Sequence, residues 1–175
     1  MTIIAGPRCS LRPFRPGDEA ALQRLADDPG VAKNLADRFP SPYTLADAEE
    51  WVATCQALAE GHVVFAIEVD GALAGGVGYE RLGPVYPGTA MVGYWLGRAH
   101  WGRGIAAAAL ALVTGHAFRT TALQRLEAGV FPWNRPSMRV LEKAGYRLEC
   151  VLKDRLFKDG RAWDEHLYIR LRAGG

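Results

Sequence analysis

Residues 89–118 read TAMVGYWLGRAHWGRGIAAAALALVTGHAF, and in this stretch a strand-like run breaks into a glycine-rich turn and then becomes an alanine-rich helix. Gly93-Tyr94-Trp95-Leu96 has the aromatic content of a strand end. Arg98 to Gly102 reads as the turn. From Gly104 onward, Ile105, Leu110, Leu112, Val113 and Phe118, with alanines between them, form a buried helix whose first amides have no partner within the helix. Unpaired N–H groups and the positive end of a helix dipole favour an anion such as a pyrophosphate. Gly102 and Gly104 lack a Cβ, so a ligand has room to lie against the backbone. Arg98 and Arg103 bracket the turn with positive charge. The same letters also fit a strand end and a core helix with nothing bound, since short glycine motifs match by accident.

Charge is distributed around this turn unevenly. The net charge is only +2, yet residues 97–147 hold eight Lys or Arg against two Glu, leaving the remainder net negative. A local positive field suits a small polyanion, whereas a nucleic-acid partner calls for a more basic domain overall. At 175 residues and 49% hydrophobic, the chain reads as one domain, residues 1–175, with room for a sizeable core. No apolar run approaches the ~20 residues that span a bilayer, and the N-terminus lacks a charged-then-apolar signal pattern. The expectation is a soluble cytoplasmic protein with neither a membrane nor a nucleic-acid partner. Cys9, Cys55 and Cys150 are scattered, as are the four histidines, and no metal-type spacing is visible.

On the N-terminal side, residues 8–15 alternate as a first strand, and Pro16-Gly17-Asp18 starts a helix through Asp27 with Ala20, Leu22 and Leu25 inward. A short helix covers Val31 to Leu35, a proline-containing loop covers Asp37 to Tyr43, and Thr44 with Asp47 opens a helix through Ala59. Trp51, Val52, Cys55 and Leu58 share its inner face. His62 to Val69 and Ala72 to Leu82 form a hairpin over Asp70-Gly71. Gly75, Gly76 and Gly78 mark a bulge or a closely approaching neighbour. With the strand before the glycine turn, these make an antiparallel meander. Arg125 to Phe131 is a strand reached by a crossover, hence a parallel neighbour. Asn134 caps a last helix that ends at Gly145, with Trp133 and Met138 placed for a hydrophobic staple, and Tyr146 to Phe157 closes on Arg161 to Leu171 over Lys158-Asp159-Gly160.

GYWLGRAHWGRGIAAAAL, followed about thirty residues later by NRPSMRVLEKAGY, resembles the GNAT superfamily of acetyl-coenzyme A-dependent N-acetyltransferases, nearest the ribosomal-protein N-terminal (Rim-type) branch. The likeness runs over nearly the whole chain. It implies an α+β fold: a mixed, mostly antiparallel twisted sheet of about seven strands flanked by about four helices. It also implies that the backbone of Trp95 and Leu96 pairs with the pantetheine arm of acetyl-coenzyme A. Arg98 and the segment Trp101, Gly102, Arg103, Gly104, Ile105 and Ala106 would hold the pyrophosphate, and Asn134 and Ser137 would lie near the sulfur end. A homodimer is a further expectation of the resemblance.

Three positions depart from the family pattern. Ala99 stands where the superfamily often has Gln or Arg, Leu141 where many members have a tyrosine acid, and Met91 where relatives in this branch often carry a glutamate. Ser137 is then the candidate proton donor to the thiolate, backbone N–H near Trp95 or Leu96 the oxyanion contact, and Glu80 the candidate base, with a water relay as its alternative. An α-amine, with a pKa near ~8 against ~10.4 for lysine, is neutral at pH 7 in about one molecule in ten against roughly one in a few thousand. A site without an obvious carboxylate base therefore suits a protein or peptide N-terminus. The loop 37–43 and the hairpin around Phe157 and Trp163 would wall the acceptor groove, with Tyr43, Tyr79, Tyr86, Trp95 and Trp163 as candidate lining and Asp164 and Glu165 as candidate attractors of a cation. A small-molecule amine as acceptor, and an acyl-coenzyme A-binding regulator without turnover, remain open beside this. Gly102 to Ala107 also fits the dinucleotide pattern GxGxxA, but it follows an antiparallel meander instead of opening a βαβ unit.

Overall fold

The computed structural model describes residues 3–173. Eight strands form one sheet: β1 (Ile4–Ala5), β2 (Ser10–Arg12), β3 (His62–Val69), β4 (Ala72–Arg81), β5 (Thr89–Leu96), β6 (Arg125–Val130), β7 (Arg147–Lys158) and β8 (Arg161–Leu171). Five α-helices accompany them among the described residues: α1 (Glu19–Ala26), α2 (Pro29–Ala32), α3 (Leu45–Gln56), α4 (Ile105–Thr120) and α5 (Arg135–Lys143). The spatial order is β1-β2-β3-β4-β5-β6-β8-β7. Every neighbouring pair is antiparallel except β5 and β6, which the α4 crossover joins in parallel. The architecture is the expected α+β one. The first strand is shorter than residues 8–15, the extra two-residue β1 pairs beside it, and α3 stops at Gln56, so Leu58 lies outside the helix.

Turn chemistry sets the hairpins. Asp70-Gly71 and Asp159-Gly160 all have positive φ, the conformation that matches a two-residue turn to the twist of its strands. Gly75 and Gly78 have no room for a Cβ, which would run into the Trp95 and Val63 carbonyl oxygens respectively, so close backbone approach explains both glycines. The register shift lies across from them, between Ile67 and Glu68 on β3.

Helices cover both faces of the sheet. Ala109, Leu110, Val113 and Ala117 of α4 are completely buried in the larger core with Phe65, Ile67, Val77 and Leu126. On the opposite face, Leu22 and Ala26 of α1 and Ala48 and Val52 of α3 pack on Phe14, Ala66 and Leu73, with Trp51 and Cys55 beside them. The Thr44–Asp47 capping box that starts α3 is present in both directions. Trp133 stacks on Phe131 at 4.6 Å and meets Trp163 edge-on at 4.8 Å, while Met138 packs against the larger core.

A buried ion cluster locks the second face to the sheet. Arg12 on β2 forms a fork with Asp18, at 2.7 and 2.9 Å, and donates through Nε to Glu68 on β3 at 2.6 Å. Asp18 stands just before α1 and also accepts from the Arg15 amide, so one carboxylate fixes the entry of the helix. Replacing one partner of such a pair leaves the other charge buried and uncompensated. Arg12→Ala is therefore expected to lower unfolding stability by about 3–5 kcal/mol, read from urea denaturation; a loss under ~1 kcal/mol would show that Asp18 is neutralised some other way.

Candidate active site

The site begins where sheet pairing fails. β4 and β5 pair along their length to Gly75 opposite Leu96, and β6 pairs with β8 as far as Val130 opposite His166. Between them, β5 and β6 pair only from Thr89 opposite Arg125 to Met91 opposite Glu127. Beyond Met91 the two strands part, and the edge of β5 from Val92 to Leu96 has no strand partner on that side. Gly93 and Gly129, which continued register would set opposite each other, are both exposed in the middle of an eight-stranded sheet. A slot thus opens in the sheet with a bare backbone edge along it. An extended ligand arm carrying amide groups is the chemical complement of such an edge.

The slot leads to the glycine turn. Leu96 is followed by a single 3-10 turn, Arg98–His100, and then by Gly102 and Gly104, both at φ +74°. Glycine takes this left-handed conformation with no Cβ penalty, and two such residues turn the chain from the 3-10 turn into α4. Among the described residues, the amides of residues 102–107 have no hydrogen-bond acceptor, and Gly104 supplies no side-chain cap. The arrangement fits an anionic phosphate group by backbone alone. Arg103 stands within the turn. Arg8, which the sequence did not single out, donates to the Arg103 carbonyl at 3.2 Å and lies beside Gly104, so it adds a second positive group from the loop before β2.

Arg98 has a different place. Its guanidinium forms two hydrogen bonds to Asp28, at 2.7 and 2.5 Å, and lies 5.3 Å over the Trp101 ring. Trp101 in turn donates its indole N–H to the Leu96 carbonyl at 2.8 Å. These two residues brace the turn against α2 and the strand end. Ile105 is buried beneath it, and Leu96 and Ala106 pack in or against the same core.

Asn134 and Ser137 meet at the start of α5. The Asn134 side chain caps the helix by accepting from the Ser137 amide at 3.2 Å. Ser137 Oγ lies 2.7 Å from the Tyr94 hydroxyl, which also stands 3.1 Å from the Ser137 carbonyl. When Tyr94 donates to Oγ, the serine hydrogen is free to point elsewhere. Burial pushes the Tyr94 phenol well above its ordinary range, so it remains protonated. Tyr94 was the residue missed in the strand pattern; its signal was the alternation that puts it on the face of Val92 and Leu96, towards α5.

Glu80 is not brought to Ser137. It neighbours Tyr79, which is buried on the α4 face, so the strand pleat turns Glu80 to the opposite face. There it pairs with Met91 of β5 and meets His62 Nε2 at 3.1 Å, half exposed. Of the proposed lining, Tyr43 and Tyr79 are buried packing residues and Tyr86 is exposed. The two walls do come together: Lys158 Nζ meets Asp37 at 2.9 Å, and the Asp159 amide donates to the same carboxylate at 3.1 Å. Asp164 holds a bulge in β7, taking Lys153 at 2.7 Å and the Asp154 amide at 3.2 Å.

Comparisons with known proteins agree with this geometry. The family model for the acetyltransferase (GNAT) domain matches residues 8–147. The chain is 46% identical over 83 residues, 47% of its length and 45% of the relative's, to the Bacillus subtilis (strain 168) protein described as "Probable N-acetyltransferase YjcK". It is 32% identical over 108 residues, 62% of its length and 60% of the relative's, to the ribosomal-protein-serine acetyltransferase of Escherichia coli (strain K12). The chain spans about half the length of the first curated relatives it matches. Among solved structures, Mycobacterium smegmatis RimJ in complex with CoA-disulfide superposes with a TM-score of 0.83 at 32% identity, over 97% of this chain and 84% of that one.

Hydrogen bonding to Arg98 holds the Asp28 carboxyl at about 2, below the ordinary carboxylate range. A depressed folded-state pKa means that the brace is present above the unfolded value of about 3.9 and is lost as pH falls towards the folded value. Carbon-detected NMR titration of Asp28 is expected to show a midpoint near about 2, returning to the ordinary range in Arg98→Ala.

Proposed function

The chain belongs to the acetyltransferase (GNAT) domain family, and from that premise we propose that it is an N-acetyltransferase moving an acetyl group from acetyl-coenzyme A to a primary amine. The acceptor in this reading is a protein or peptide N-terminal α-amine, attacked directly within a ternary complex, and residues 1–175 act as a single catalytic domain. The observation that carries the proposal is the slot between β5 and β6, whose bare backbone edge runs into the unpaired amides at the start of α4. A pantetheine arm has the length and amide groups for the first, and a pyrophosphate the charge for the second.

Each residue then has a task. Trp95 and Leu96 offer the strand edge, although the Leu96 carbonyl is already engaged by Trp101, which leaves the edge before it as the donor and acceptor row. Residues Trp101 to Ala106, with Arg103 and Arg8, hold the pyrophosphate, while Arg98 keeps their turn in place through Asp28. Acetyl-coenzyme A supplies an activated acyl thioester. Asn134 fixes the first turn of α5, which places Ser137 to give a proton to the departing sulfur; Tyr94 holds the serine hydroxyl in place. The RimJ neighbour bound to CoA-disulfide and the ribosomal-protein-serine acetyltransferase support the cofactor and a protein acceptor, respectively.

The first test is the shift in thermal midpoint on adding acetyl-coenzyme A, with NADPH as the comparison, since a ligand that binds only the native state stabilises it. Stabilisation by acetyl-coenzyme A, followed by acetylation of peptides with free N-termini, is the expected result. Acetylation confined to lysine side chains would refute the α-amine reading. Ser137→Ala is expected to lower turnover by about 10² while keeping the thermal shift, the usual scale for one acid–base group. Tyr94→Phe should lower kcat with little change in the acceptor KM, because it acts through the serine; unchanged kcat would remove it from the site.

A further inference from the structure

The face of the sheet away from Ser137 holds a cavity of about 210 Å³ lined by Leu82, Met91, Glu127, Leu152, Arg155, Leu156, Glu165 and Leu167. It lies at the fork of β5 and β6, since Met91 and Glu127 are the last paired residues before the slot. A bulge in β7 shapes its outer wall. Pairing of β7 with β8 skips from Leu152 opposite Glu165 to Leu156 opposite Trp163, and Asp154 takes a positive φ of 51° within the skip. That excursion brings both Leu152 and Leu156 to the cavity and sets Arg155 at its edge.

Glu165 is the unusual member. Its side chain is only 9% exposed, yet among the described residues no donor hydrogen-bonds to it. Its nearest cation is Arg155, at 3.7 Å and 69% exposed, while the neighbouring Glu127 is already held by Arg125. The carboxylate lies directly over Gly129, where a Cβ would collide with it, and so stands at one lip of the slot; Gly93, on the other lip, has open space where a Cβ would be. A nearly buried, poorly compensated carboxylate aimed at a gap in the sheet is a site for a cationic donor. Burial and the Glu127 charge raise its pKa, against the pull of Arg155, which makes it a better proton acceptor than a solvated carboxylate.

We propose that Glu165 binds the acceptor's ammonium group in this cavity and takes its proton, so that amine and thioester reach the slot from opposite faces of the sheet. This assignment rests on the acetyl-transfer reading above. Glu165 takes one proton from the ammonium, freeing the nitrogen lone pair for the acetyl carbonyl. As the C–N bond forms and the C–S bond breaks, Ser137 Oγ gives the sulfur a proton, and the second proton shed by the nitrogen restores the serine. Glu165 then releases its proton to solvent. The apolar walls around the carboxylate leave space for the small side chain of an N-terminal residue, in contrast to Glu80, which is exposed and engaged by His62.

The test compares trialanine with N-acetylated trialanine, binding to the full chain with and without coenzyme A, by isothermal titration calorimetry. The wild type is expected to prefer the free amine by about thirtyfold, the scale on which a desolvated charge pair loses affinity when one partner is removed. Glu165→Gln is expected to bind both peptides alike, with a thermal midpoint at or above that of the wild type. Gly129→Ala keeps the charge but displaces the carboxylate, and should lose the same preference. Retained preference in Glu165→Gln, or none in the wild type, overturns the proposal. Absence of stabilisation by coenzyme A would instead count against the acetyl-transfer reading, while the amine preference is still read on the coenzyme-free protein.

Discussion

The structure turns on a sheet that stays continuous through eight strands yet is left unpaired at one internal edge. Interior backbone N–H and C=O groups are costly to leave without partners, so a strand edge open in the middle of a sheet has to be met by solvent or by a ligand of similar hydrogen-bonding pattern. Here the edge is β5 beyond Met91. The same sequence supplies its consequences in order: a strand end, a turn bent by two left-handed glycines, and a helix whose first amides are free. Ligand binding in this reading needs few side chains because the backbone carries most of the polar groups.

A site made of backbone depends on being held still. Three contacts do this at its borders. Arg98 ties the turn to Asp28 before α2, Trp101 ties it back to Leu96, and Lys158 with Asp37 joins the β7–β8 hairpin to the loop before α3. Asp37 is held below the ordinary carboxylate range first by Lys158 and then by the Asp159 amide, so the hairpin tip and the loop stay linked unless the carboxyl is protonated. Most charges near the site thus bind one segment to another, Arg8 among them through the Arg103 carbonyl, whereas Glu165 has no hydrogen-bond donor among the described residues.

Much of the fold was legible because local signals agreed with one another. Two Asp-Gly turns, the Thr44–Asp47 box and the switch from a period of two to helical spacing at Gly104 each place an element within a residue or two. The insertion of β8 between β6 and β7 was not legible, since nothing in a hairpin's residues says which of its strands joins the existing sheet. The glycine turn and the Asn134 cap were readable for the same local reason. The direction of Arg98 was not, because its partner Asp28 lies 70 residues away. Glu80 shares the face of Glu165 but lies one strand back from the slot, half exposed and engaged by His62, a partner 18 residues away that its own strand does not reveal.

Two of the three departures from the family pattern, Leu141 on α5 and Met91 on β5, have counterparts elsewhere in the site. Leu141 is fully buried in the core, and Met91 lines the cavity that Glu127 and Glu165 also line. A phenol nevertheless reaches Ser137, from Tyr94 on β5 instead of from α5. A carboxylate nevertheless reaches the slot, from Glu165 on β8 instead of from position 91, over a glycine that leaves it space. The geometry puts a hydroxyl on one side of the gap and a carboxylate on the other. Side chains from neighbouring strands can exchange these places because adjacent strands of a sheet lie only about 4.8 Å apart, well within the reach of a tyrosine or a glutamate.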